Sequence, residues 1–253
     1  ARRTDGTLWA WGANGNGLVG DGTGTDRTAP TQVGSATTWT WVDLSGWHVL
    51  AGRSDGTLWA WGYNPSGQFG TGDTSPSLVP VQSGPVHDWK VLSTGMVHTL
   101  GVRSDGSLWA WGDNPGGQLG DGTTTDRSAP LRIGTSTWTA VAAGGNHTLA
   151  VRFDGTLWAW GANSFGQVGD GTTTARSAPV QIGAATTWTA VTAGNQYSVA
   201  MRSDGTLWAW GDNTYGELGD GTTTERHAPV QVGSATTWKA VAAGPAYNVA
   251  IRT

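Results

Sequence analysis

Apolar residues in this chain fall into short runs that alternate with small or polar ones. In residues 7–12, Thr-Leu-Trp-Ala-Trp-Gly, a strand period of two puts Trp9 and Trp11 on one face and Leu8, Ala10 and Gly12 on the other. The run recurs after an Asp-Gly pair beginning at Asp5, Asp55, Asp105, Asp154 and Asp204, at spacings of 50, 50, 49 and 50 residues. Each repeat holds three further runs of strand length, bounded by Gly, Pro, Asn or Asp, and no stretch has the 3.6-residue period of a long amphipathic helix. The pattern predicts four short antiparallel strands per repeat. The Ser-Asp-Gly-Thr junctions predict two-residue type I′ hairpins ahead of the Trp strand.

A four-stranded sheet of this size cannot bury both faces alone, so it must stack on its own copies. One face carries indoles and the other is nearly flat, which predicts inter-blade packing by Trp9, Trp11, Trp59, Trp61, Trp109, Trp111, Trp158, Trp160, Trp208 and Trp210. The expected fold is all-β: one β-propeller domain over residues 1–253, of five four-stranded antiparallel blades. The chain opens just before one Asp-Gly and stops where the next would fall, so its N- and C-terminal strands are expected to pair in one blade and close the ring. Residues 1–4 and 250–253 share a repeat phase. The expectation is that residues 1–3 fray and Ile251 takes the buried place.

Composition sharpens this only in places. Glycine (41) and tryptophan (17) are abundant, while charged residues make up 13%, as suits turns and bulky contacts more than helices. The formal net charge is −4 and the basic residues are dispersed through the repeats, which argues against a nucleic-acid partner. No apolar run reaches the ~18 residues of a membrane span. With no cysteine, disulfides and thiolate metal sites are excluded. Only Lys90 and Lys239 are lysines, and this habit of composition leads to an expectation of an extracellular or cell-surface location.

The pattern Gly-x-x-His-x-Leu-Ala-Val-Arg followed by Asp-Gly in residues 144–155, and Trp-Gly-x-Asn-x-x-Gly-Gln-Leu-Gly in residues 111–120, resembles the regulator of chromosome condensation repeat family, and the likeness covers all five repeats. The resemblance implies a β-propeller, usually of seven blades, so five repeats depart from it. Eukaryotic members exchange nucleotide on a Ran-type GTPase through a wedge loop and hold chromatin with a basic tail. Neither element is recognisable here, and exchange activity is not carried over. Similar bacterial propellers act as secreted binders, including β-lactamase inhibitors, and this chain looks closer to that use.

Among candidate chemical groups, His48, His98, His147, Tyr197 and Tyr247 share one repeat phase and are read as a structural polar ring, since one group per blade does not converge on a metal. Residues 15–20 spell a dinucleotide fingerprint, but no helix can start after them. Asp121 and Arg127 are read as a loop clasp. No catalytic set, metal site or cofactor is expected. The departures from the repeat are Trp41, Trp47, Tyr63, Leu78 and His87, with Leu78 read as standing where Arg27, Arg127, Arg176 and Arg226 recur. Added aromatics of this kind suit a partner-binding surface, and drift in a diverging repeat would produce the same departures. The expected function is a non-enzymatic protein-binding scaffold, monomeric as a ring and self-associating if the chain is a fragment. The alternatives are a lectin-like carbohydrate-binding propeller, or a repeat fragment or engineered array with no function of its own.

Overall fold

The computed structural model describes residues 1–85 and 88–253, and it is all-β, with no helix among the described residues. Strands β1 (Trp9–Gly12) and β2 (Arg27–Gln32) form a two-stranded sheet. Next comes a four-stranded meander of β3 (Trp39–Leu44), β4 (His48–Arg53), β5 (Leu58–Gly62) and β6 (Ser77–Gln82). A seven-stranded sheet follows: β7 (Trp89–Thr94), β8 (His98–Arg103), β9 (Ser107–Gly112), β10 (Arg127–Ala143), β11 (His147–Arg152), β12 (Leu157–Gly161) and β13 (Arg176–Gln181). A second meander holds β14 (Trp188–Ala193), β15 (Tyr197–Arg202), β16 (Leu207–Gly211) and β17 (Arg226–Gln231), and β18 (Trp238–Ala243) with β19 (Asn248–Arg252) ends the chain.

The seven-stranded sheet is two blades sharing one continuous strand. The first part of β10 lies beside β9, with Leu131 opposite Ala110, and its last part lies beside β11, with Val141 opposite Ala150. In the other repeats a bend near Gly34, Gly183 or Gly233 separates these two parts. The molecule is therefore four full blades flanked by two half-blades, β1–β2 and β18–β19.

Three local expectations give way here. The ring does not close: among the described residues β1 has only β2 as a strand neighbour, and β19 only β18. Residues 1–3 do not fray but take the place meant for the last strand, with Arg2 bridging Leu8, the Ala1 carbonyl accepting the Trp9 N–H at 2.8 Å and the Thr7 carbonyl accepting from Arg3 at 3.0 Å. Two segments of equal phase compete for one edge, and the one joined to it by a three-residue turn has far less loop entropy to lose. Ile251 is left 63% exposed. The Asp-Gly turns are also not type I′, which needs two positive φ angles: only the glycine has one, +82° at Gly56, and no other residue type does among the described residues. The loop is the three-residue form, with Gly56 N–H bonded to the Arg53 carbonyl and the glycine forming the bulge. Asp55 accepts instead from the Thr57 N–H (2.9 Å) and hydroxyl (2.6 Å).

The two indoles of each Trp-Ala-Trp run do different work. Trp61, Trp111, Trp160 and Trp210 are buried and cross to the preceding blade, each Nε1 donating to a carbonyl there, of Leu18, Gln68, Gln118 and Gln167 at 2.9–3.0 Å. Over each ring lies a glycine, Gly20, Gly70, Gly120 or Gly169, with φ between +73° and +85°. A side chain there would be strained and would strike the indole. By contrast Trp59, Trp109, Trp158 and Trp208 are only half-buried and stay within their own blade. Trp59 Nε1 donates to the Thr57 hydroxyl at 2.8 Å, and the Arg53 guanidinium stacks between Trp59 and Trp39, 3.7 and 4.6 Å from their centroids.

Beside the indole joints runs a buried latch. The Thr99 hydroxyl donates to the Gln68 carbonyl at 2.9 Å, so His48 Nε2, 3.1 Å from the same hydroxyl, is the donor in that pair. His98 with Thr148 and Gln118, and His147 with Ser198 and Gln167, repeat the arrangement. Gln68, Gln118 and Gln167 thus each offer one carbonyl to an indole and a hydroxyl of the next blade, which uses both lone pairs. Next along, Tyr197 donates its hydroxyl to the Tyr247 carbonyl at 2.7 Å, while Tyr247 itself is 62% exposed at the open end. Gly95 and Gly144 lie against the His98 and His147 rings, where a Cβ would collide. Ser45 stands in that position over His48 and reaches Nδ1 at 2.9 Å.

Burial holds the His48 and His98 pKa down to about 3, helped at His98 by His147 and His48, and that of His147 down to about 4. The unfolded chain takes up these protons near pH 6.5 and the folded one does not, so the stabilisation is complete above that pH and is lost as pH falls. The urea midpoint should drop steadily from pH 7 to pH 5, where the carboxylates are still ionised, and His98→Gln should reduce that slope by about a third. A midpoint flat over this range contradicts the latch. Separately, Trp160→Ala should cost roughly 3–5 kcal/mol of unfolding free energy, whereas Trp11→Ala, at the open end and 53% exposed, should cost under about 1 kcal/mol in dilute solution.

Candidate functional site

The turns between the third and fourth strands of all five repeats meet on one face. Residues 44–46, 94–96, 143–145, 193–195 and 243–245 line a shallow funnel of about 300 Å³. Most are glycine, alanine or other small residues, so the funnel wall is largely backbone.

Just outside it, one backbone frame is used four times. The N–H that follows each Trp strand bonds back to a turn carbonyl: Tyr63 to Trp47, Asp113 to Val97, Ala162 to Asn146 and Asp212 to Gln196, all within 2.8–3.0 Å. The frame is constant and its side chains are not. Only the first position carries aromatics, and Trp47 and Tyr63 stack with centroids 5.4 Å apart, each more than a third exposed. Leu44 (67% exposed) and Met96 (37%) extend the apolar surface along the funnel edge. At the next position Asp113 is bonded to Ser66 of the preceding blade at 3.0 Å and to Gln118 at 2.8 Å, and its burial, with Asp126 nearby, raises its pKa.

The other singled-out residues lie elsewhere. Trp41 packs across the sheet onto Gly52, where Ala140, Ala190 and Ala240 face Val151, Met201 and Ile251. The large–small pair is exchanged, and Trp41 fills the space that Gly52 leaves. Leu78 is a strand residue lying against Gly17 of the preceding repeat. The register corrects its alignment: Ser77, not Leu78, faces Gly62 where Arg127 faces Gly112. Thr71 likewise replaces the aspartate, so this repeat loses both partners of the clasp together and strands neither charge. In the other repeats the clasp closes, with Asp121–Arg127 at 2.6 Å and Asp220–Arg226 at 2.8 Å, and Asp220 is held down to about 2 by the Thr222 hydroxyl, with Arg226 adding to it. His87 lies outside the described residues. The glycines of residues 15–20 form successive turns, closed by Gly17 N–H to Asn14 and Gly20 N–H to Gly17.

Sequence reasoning passed over Leu44 and Met96, which look unremarkable singly. Aligning the turns repeat by repeat reveals them, because alanine or glycine holds the same place in other repeats. It also gave no role to Asn14, Asn64, Asn114, Asn163 and Asn213. Each is buried and ties its loop together, as Asn114 does by accepting from Leu119 N–H at 2.9 Å and donating to the Thr123 and Thr125 carbonyls at 3.1 Å.

Comparison with known proteins places this architecture. The structure superposes on human WBSCR16 with a TM-score of 0.85 at 21% identity, over 96% of this chain and 67% of that one. Prp20p from Saccharomyces cerevisiae, described with its binding to Gsp1p and histones, gives 0.82 at 22% identity over 97% and 64%. Yeast RCC1 (Prp20) bound to Kap60 gives 0.83 at 21% identity over 98% and 63%. At these identities the likeness is one of fold, and the chain spans about two thirds of the length of these proteins. No curated protein matches the sequence. The model for the RCC1-like domain matches residues 3–253, and the chain belongs to the RCC1-like domain family.

Proposed function

We propose that the chain is a non-enzymatic protein-binding module whose contact surface is the rim patch of Leu44, Trp47, Tyr63 and Met96. The observation that carries the reading is the stacked, half-exposed Trp47–Tyr63 pair, set on a backbone frame that the other repeats share but decorate differently. Aromatic anchors on a rigid support, beside smaller apolar residues, have the make-up of an interface hot spot. The imidazoles of His48, His98 and His147, the groups best suited to proton transfer, are enclosed in the blade latch. The similar Prp20p is described as binding Gsp1p and histones and is seen with Kap60, which supports protein as the class of partner.

The test is to select binders from an unbiased displayed-peptide library against the wild-type chain and measure each clone against Trp47→Ala and Tyr63→Ala proteins with unchanged thermal midpoints. The dominant clones should weaken at least about tenfold on either substitution. Clones indifferent to both substitutions defeat the assignment. Binding on a glycan array that disappears with Trp47→Ala would transfer the patch to carbohydrate.

A further inference from the structure

One side-chain amide in the second repeat lacks a hydrogen-bond acceptor, and it belongs to the position that carries the aromatic pair. Gln68 and Gln118 hold the same place in consecutive repeats. Gln118 Oε1 accepts from the Gly116 N–H at 2.9 Å and its Nε2 donates to Asp113 Oδ2 at 2.8 Å, which satisfies both ends of the amide. Gln68 Oε1 accepts likewise from the Ser66 N–H at 3.1 Å, but its Nε2 is buried and meets no acceptor. The cause is Tyr63, which takes the position of Asp113 on the shared frame and brings no acceptor to the amide.

The other repeats avoid this. Leu18 has no donor at that place, and beside the small Ala162 the Gln167 amide nitrogen is not a buried orphan. Glu217 puts oxygen in place of the donor, with Oε2 accepting from the Tyr215 N–H at 2.7 Å. Unmet indole nitrogens, as in Trp39, Trp138 and Trp188, recur from blade to blade and belong to the common fold. Gln68 is the one unmet side-chain amide among the described residues. A dry, unpaired amide nitrogen is a standing cost to the folded chain. That cost falls in the repeat where Trp47 and Tyr63 stack at the surface.

We infer that Gln68 is the polar determinant of what the rim patch binds: Tyr63 swings off the amide as a peptide segment seats against Trp47, and Gln68 Nε2 donates to a main-chain carbonyl of that segment. The inference rests on the rim patch as the contact surface. The nitrogen is already held in place, because the other end of its amide is bonded to the Ser66 backbone. The acceptor is neutral. Asp113 is linked to Gln68 through Ser66, whose hydroxyl donates to Asp113 Oδ1 at 3.0 Å, and burial, with Asp126 adding to it, already disfavours the ionised Asp113. A carboxylate from the partner would bring a further like charge to this cluster. A peptide carbonyl brings none, and an extended segment offers one next to a side chain that can cover the indole.

The probes are the dominant library peptides that Trp47→Ala weakens, made as free peptides. Gln68→Glu keeps an acceptor for the Ser66 N–H and has a precedent in Glu217. It should weaken these peptides at least about tenfold at pH 7, because the bound carbonyl then faces an oxygen instead of a donor. Undiminished affinity overturns the inference and leaves the rim patch standing, whereas clones indifferent to Trp47→Ala defeat the patch itself. NMR of the wild-type chain decides the matter if Gln68→Glu does not fold: the Gln68 side-chain amide protons should move downfield as peptide saturates the protein, and unmoved resonances overturn the contact. Amidating every carboxylate of the peptides should leave their affinity unchanged. A loss on amidation overturns the neutral acceptor and transfers the contact to a carboxylate.

Discussion

The architecture depends on one contact, an indole of one blade lying against a left-handed glycine of the blade before it and donating to a carbonyl in the same loop. Each part needs the others. The glycine must be glycine both because its φ is positive and because the ring leaves no room for a Cβ. The carbonyls of Gln68, Gln118 and Gln167 are buried and would be costly without a donor. The loop holding both is fixed by its buried asparagine, which satisfies the backbone on either side. A sheet of four short strands gains independent order only through such a joint, and its repetition makes an arc of separate sheets one body.

That view also explains where the chain tolerates change. The latch histidines give way to Tyr197 without loss of an inter-blade bond, because its hydroxyl reaches the next blade's backbone directly. The clasp disappears from the second repeat with both charges exchanged together. Trp41 is admitted where Gly52 makes room. None of these changes touches an inter-blade indole. The rim is freer still, since its frame is made by backbone hydrogen bonds and its side chains differ from repeat to repeat.

The repeat, the strand period and the family were legible in the sequence because they depend on local alternation and spacing, and Trp9 to Gly12 carries both. What was not legible depended on competition or on third dimensions. Residues 1–3 and 250–252 have the same phase and nearly the same chemistry, so pattern alone could not rank them for one edge, whereas loop closure does. Both indoles of a run share a strand face, yet only the second reaches the preceding blade, while the first stays in its own blade with an arginine stacked on it. The Asp-Gly pair signals a turn, but the aspartate's bonds to Thr57 favour a bulged three-residue loop over the tighter form. Among the partner candidates, Trp47 and Tyr63 stood out by type, while Leu44 and Met96 gained meaning only once the turns of five repeats were brought around one funnel.

The most direct test of the central contact is hydrogen exchange of the indole N–H groups, followed by NMR in dilute solution. The Trp61, Trp111, Trp160 and Trp210 protons should exchange only through global unfolding, at rates set by overall stability, while that of Trp11 exchanges at once. Exchange of those four as fast as Trp11, or at rates indifferent to denaturant, would mean that the blades are not joined through their indoles.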